Sequence, residues 1–201
     1  MGADGAGRAA SRRGLVLALL LVTAAACGGG DGDDDDAGPT TSRAATTTGG
    51  WTAYLTLTSR AFADGDTVPP KFTCDGDNVP PPLDWTGVPA GTAELVLLVE
   101  DPDAARGTFT HWIVYRLPPA DGHLEAGSLS VQAVEGEHDG SRVGYLGPCP
   151  PRGDPPHRYV FTLSAVDAHL DLPGGASADD VRDALDGHVV ARGILTGTYE
   201  R

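Results

Sequence analysis

From Trp51 onward the chain is patterned as strands. Tyr54-Leu55-Thr56-Leu57-Thr58-Ser59 alternates apolar and polar side chains, the period of a strand with one buried face. Glu94-Leu95-Val96-Leu97-Leu98-Val99-Glu100 is apolar throughout its interior, as expected of a strand covered on both faces. Phe109–Leu117 and Arg158–Val166 are rich in aromatic and β-branched residues, and Gly193–Tyr199 reads as a last short strand. Val79-Pro80-Pro81-Pro82, Leu117-Pro118-Pro119 and the stretch 147–156 cannot be strand interiors and mark shaped loops. One helix is predicted over 177–192. Ser177 is its N-cap, Asp179 and Asp180 favour its first turn, and Val181, Leu185 and Val189 recur at i, i+4 and i+8. Gly187 weakens its middle and Gly193 lies just past its end. With no internal repeat and no second break in composition, the pattern predicts one mostly β domain over 52–201, an antiparallel sheet with one late helix.

The N-terminus has a different character. Arg8, Arg12 and Arg13 precede an uncharged run, Gly14–Ala26, of 13 residues. That run is too short to span a bilayer but suits the apolar region of a signal peptide, here 1–26. Small residues Ala24-Ala25-Ala26 stand directly before Cys27, as in a lipobox whose cysteine is acylated after cleavage. Ala24 takes the place of the usual leucine, and ordinary A-x-A cleavage beside an unrelated cysteine is the alternative. Ser11-Arg12-Arg13 also resembles a twin-arginine export signal. Residues 27–50 are Gly, Asp, Thr, Ala and Ser with little to bury, the composition of a flexible tether. Its run Asp33–Asp36 lacks the spaced ligands of a calcium loop and reads as solvated charge. The expected location is the outer side of a membrane, anchored by lipid on Cys27.

The formal net charge is −14, and Asp31 with Asp33–Asp36 accounts for part of it. A basic footprint is missing, so a nucleic-acid partner is not expected. Of three cysteines, Cys74 and Cys149 remain once Cys27 is set aside. In an oxidising compartment they form a disulfide; the alternative is two reduced, partly buried thiols.

The chain has no nucleophile elbow, phosphate-binding loop or dinucleotide fingerprint. Its candidate chemistry lies at strand ends. Asp101-Pro102-Asp103 follows the buried strand, and Thr110-His111-Trp112 opens the next. Later, Gly144-Tyr145-Leu146-Gly147-Pro148-Cys149 leads to His157-Arg158-Tyr159 at another strand start. Singly, each has a plain reading: Asp-Pro forms turns, Asp103 caps a loop, and a strand histidine packs.

Together with Thr73-Cys74-Asp75-Gly76-Asp77-Asn78-Val79-Pro80-Pro81-Pro82-Leu83-Asp84-Trp85, these motifs resemble the phosphatidylethanolamine-binding protein (PEBP) family. The similarity is to its bacterial Raf-kinase-inhibitor-like branch, in which Pro80 is more often serine. It extends from about Leu55 to Tyr199. It implies a large antiparallel sheet packed on a smaller one, with a helix near the C-terminus. It also implies a small anion pocket lined by Asp101, Asp103, His111 and His157 and walled by Pro102, Tyr145, Gly147 and Pro148. Phosphate, acetate or phosphoethanolamine-like groups are the implied ligands, with no enzymatic activity, cofactor or metal. The imidazoles and the Gly147-loop amides would donate to phosphate oxygens. Asp101 or Asp103 would orient an imidazole and raise its pKa, or meet an ethanolamine ammonium, and Tyr145 would add a hydroxyl. The family also places Cys74 and Cys149 near that pocket. Two other classes fit the residues: a metal-dependent phosphoesterase built on the Asp/His set, and a protein-interaction module of the kinase- or protease-inhibitor kind, its partner unknown.

Overall fold

The structure, a computed structural model, describes residues 53–201. The expectations for the signal peptide, Cys27 and the tether at 27–50 lie outside the described residues. The strands are β1 (Ala53–Tyr54), β2 (Thr56–Thr58), β3 (Leu83–Thr86), β4 (Glu94–Asp101), β5 (Phe109–Leu117) and β6 (Gly122–Leu124). They continue with β7 (Val134–Glu135), β8 (Glu137–His138), β9 (Arg142–Val143), β10 (His157–Val166) and β11 (Val189–Tyr199). Among the described residues a single α-helix, α1 (Ala178–Leu185), precedes β11, and these residues are mostly β.

A six-stranded sheet in the order β1-β11-β10-β4-β5-β7 faces a three-stranded sheet in the order β2-β3-β6. Within the large sheet only the edge pair β1–β11 is parallel. The strand at 94–101 shows why its sequence carries no alternation. Leu95, Leu97 and Val99 enter the core between the two sheets, with Trp85, Trp112, Tyr159 and Phe161. Val96 and Leu98 point the other way, into a second core closed by Val181 and Leu185 of the helix. Both faces are removed from water, so an apolar side chain is stabilising at every position.

The helix is shorter than its spacing implied. It starts as expected, with a capping box in which Ser177 Oγ accepts from the Asp180 amide and the Ser177 amide donates to the Asp180 carboxylate. It stops at Leu185, because Gly187 adopts φ +78° and turns the chain into β11. Gly187 is thus the stop, not a weak point in the middle, and Gly193 lies inside β11 rather than past a helix end. Val189 fits the apolar spacing of either element, which is why the sequence pattern extends the helix to 192. The last strand correspondingly begins at Val189 instead of Gly193. Among the described residues, no helix is long and apolar enough to cross a membrane.

Candidate functional site

Antiparallel pairing sets Val160 of β10 opposite Glu100 of β4. The first residue of β10, His157, therefore arrives beside the last residue of β4, Asp101. The β4–β5 hairpin brings His111 to the same end. These three side chains line a cleft of about 330 Å³. Phe109 and Tyr159 line it too, each two residues along a strand from a histidine and so on the same face. Arg106, from the loop after β4, supplies a cation, and Leu146, Cys149, Pro150 and Pro151 form the outer wall.

Asp101 is the hub. Its Oδ2 lies 2.8 Å from His157 Nδ1, and its Oδ1 accepts the Asp103 amide at 2.8 Å. A carboxylate only accepts, so the proton of this pair sits on Nδ1 and Nε2 is left for other partners. The His157 and Asp101 side chains are 9% and 5% exposed. On the far side of the ring, Nε2 is 3.8 Å from Asp154.

His111 Nδ1 donates to the Leu146 carbonyl at 2.8 Å, which fixes the tautomer and makes Nε2 of the neutral ring an acceptor. The ring packs edge-on against Tyr159, centroids 5.1 Å apart. Burial pushes its pKa down and outweighs the raising influence of the Leu146 carbonyl and Asp101. The Tyr159 hydroxyl is buried beside Asp101 and the Cys149 backbone, without a well-formed hydrogen bond. Burial, then the Asp101 charge, drives its pKa up, so it stays a donor.

The other expected site residues build the frame rather than the lining. Asp103 is gripped by Arg158 through Oδ1···Nη2 at 2.7 Å and Oδ2···Nε at 2.9 Å, and also accepts the Arg158 amide. Hydrogen bonds from Arg158 hold its carboxyl at about 2. Pro102 lies with it at the start of the loop and is exposed. The Tyr145 hydroxyl donates to the Phe72 carbonyl at 2.7 Å, and the Gly147 amide donates to Asn78 Oδ1 at 2.8 Å. Both were expected to face a ligand; both are spent joining the 145–149 loop to the 72–78 segment. Pro148 contributes its carbonyl, which accepts the Cys74 amide at 3.1 Å. A Cys74–Cys149 disulfide bridges the same two loops, with Cα atoms 5.4 Å apart. Among the described residues, no group of three or more His, Cys, Asp and Glu is placed to hold a metal ion.

Sequence reasoning missed Arg106, Phe109 and Tyr159. The last two were within reach, since strand period two puts Phe109 with His111 and Tyr159 with His157. Arg106 sits in a loop with no periodicity and gave no such signal.

Two stacked sheets, a short helix and a polar cleft at the ends of the central strands define a β-protein with a small recess at one end of its large sheet. The chain belongs to the phosphatidylethanolamine-binding protein family, whose model matches residues 58–200. It is 44% identical over 152 residues to a UPF0098 protein of Methanothermobacter thermautotrophicus, covering 73% of this chain and 99% of that one. It is 42% identical over 151 residues to LppC of Mycobacterium tuberculosis, named as a candidate lipoprotein, covering 73% of this chain and 72% of the relative. The fold is shared with the crystal structure of a PEBP homologue from Chlamydia trachomatis, with a TM-score of 0.70 and 39% identity. That alignment covers 75% of this chain and 99% of the other. The E. coli YbcL structure, named as a member of the mammalian PEBP family, gives a TM-score of 0.70 at 30% identity, covering 74% and 99%.

Proposed function

We propose that this chain is a non-catalytic binding protein, held on the outer side of a membrane by lipid on Cys27. In this reading its cleft takes a small phosphate-bearing ligand of the phosphoethanolamine kind. The observation that carries it is the buried Asp101–His157 pair set beside His111 in a recess of about 330 Å³. That size suits a head group, not a whole lipid.

The hydrogen-bonding inventory narrows the ligand. His111 offers an acceptor at Nε2, Tyr159 a donor, and Arg106 a positive charge. A phosphate monoester that keeps one proton matches this set: its P–O–H donates to His111 and its charged oxygens face Arg106 and the tyrosine. An ammonium on the same ligand meets the remaining acceptor capacity of Asp101. The Cys149 sulfur, tied up in the disulfide, is unavailable as a nucleophile.

The membrane reading is supported by the small residues before Cys27 and by the lipoprotein name of the LppC relative. Native mass spectrometry of the full chain taken from its own envelope tests the cleft. A bound mass of phosphate or a phosphoethanolamine-like group is expected, lost in the His111→Ala/His157→Ala variant. An empty protein that also ignores added phosphoethanolamine in calorimetry overturns the proposal.

A further inference from the structure

The β4–β5 hairpin carries a second cleft, at the end opposite Asp101. Its volume is about 450 Å³, and Glu94, Arg116, Leu117, Gln132, His169 and Asp171 are among its lining residues. Glu94 and Asp101 are the two ends of one strand, about 23 Å apart at the usual rise of about 3.3 Å per residue. The two clefts share strands but no lining residue.

Glu94 is the group without a structural explanation. Its side chain is 3% exposed, and Oε2 receives one bond, from His169 Nδ1 at 3.2 Å. Its Oε1 is buried and has no hydrogen-bond partner. A buried carboxylate oxygen left without a donor is costly, and the cost is recovered when a charged donor reaches it. Arg116, a cationic lining residue, turns to another partner: its Nη2 donates to the Leu172 carbonyl at 2.8 Å. Its backbone is held there at φ +58°, where the β4–β5 register slips between Leu95 and Leu97.

We infer that this cleft is a second binding site, for a small primary ammonium on a short apolar stem, with Glu94 Oε1 as its anchor. The charges of Glu94 and Asp171 outnumber that of Arg116 in the lining, which selects a cation and disfavours the anion proposed for the first cleft. Leu117, Pro118, Pro119 and Leu170 give the stem an apolar wall. His169 is the side chain able to yield at the mouth, being 80% exposed and held by the single bond to Glu94. Glu94, His169 and Asp171 all line the cleft, but among the described residues no such group is placed to hold a metal ion, and the ligand inferred is an organic ammonium.

The test is a residue-resolved NMR titration of the full chain with butylammonium, and with tetramethylammonium, which has the charge but no N–H. Butylammonium is expected to give saturable shifts around residues 93–95, 116–119 and 169–171, and tetramethylammonium none. Glu94→Gln removes the charge and is expected to weaken binding about tenfold or more. Asp183→Asn, an exposed carboxylate on α1 that lines neither cleft, leaves it unchanged. His169→Ala alters an exposed group and serves if Glu94→Gln does not fold. Removing the competing donor is expected to tighten binding about threefold. Shifts that do not saturate, equal shifts from both cations, or unchanged affinity in a folded Glu94→Gln or in His169→Ala would overturn the assignment.

Discussion

The imidazole of His157 rests on the carboxylate of Asp101, Nδ1 to Oδ2 at 2.8 Å, where β10 begins and β4 ends. The same carboxylate receives the Asp103 amide, so it fixes both the ring and the first turn of the 102–108 loop. Replacing Asp101 by Asn keeps the shape and removes the charge. Affinity for phosphoethanolamine is expected to fall roughly 10–100-fold, the usual worth of a hydrogen bond to a charged group at about 1.5–3 kcal/mol. Calorimetric titration of the variant against the unaltered chain checks this; equal affinity would remove Asp101 from the site.

Acid should weaken the fold in two stages. Burial lowers the pKa of His111 and of His138, so the unfolded chain takes up protons near pH 6.5 while the folded one does not. Stability is therefore complete above about pH 6.5 and declines as the pH drops below it. Asp103 has the same sign: its carboxyl is held at about 2 by Arg158 against an ordinary 3.8, so its contribution is lost as the pH falls through that interval. Urea midpoints should be level between pH 7 and 8 and lower at 6 and at 5. A midpoint that stays level down to pH 5 would contradict the depressed histidines.

Breaking the Cys74–Cys149 bridge should cost stability and loosen the cleft wall. The cysteines are 75 residues apart, a closure worth about 4 kcal/mol in the chain-entropy account. A Cys74→Ser/Cys149→Ser variant is expected to lose about that much in urea unfolding. It should also bind phosphoethanolamine less tightly, since Cys149 lines the recess.

Gly147 tests the seam between the two wall loops. A Cβ there would lie 2.7 Å from both Asn78 Oδ1 and the Phe72 carbonyl oxygen, and 2.9 Å from Thr73 Cα. Two of these are backbone atoms that cannot swing aside. Gly147→Ala is expected to destabilise by about 1–3 kcal/mol. Unchanged stability would mean that the seam is looser than its hydrogen bonds imply.

Much of the fold was legible because burial writes itself into period. The unbroken apolar run at 94–100 gave a doubly covered strand, and Leu95 and Val96 indeed enter different cores. The helix end was not legible, because Val189 satisfies helical spacing and strand alternation equally and only the φ of Gly187 decides. At the site, Asp101, His111 and His157 could be grouped from strand ends. What the remaining residues do could not. The Tyr145 hydroxyl and the Gly147 amide look free in a sequence, and their partners, Phe72 and Asn78, are 73 and 69 residues away. Glu94 was hidden for a related reason: at the head of an apolar strand it reads as a solvated boundary, yet it is buried with its carboxylate half satisfied.

The parallel pairing of Ala53–Tyr54 onto β11 also gives the domain a mechanical handle. Tension arriving along the chain ahead of Ala53 is borne first by an edge strand of two register pairs and by the Leu55 amide bond to the Arg192 carbonyl. β11 stands between that edge and β10, where His157 begins. A pull applied there would meet this two-residue edge strand and β11 before it reached β10, where His157 meets Asp101.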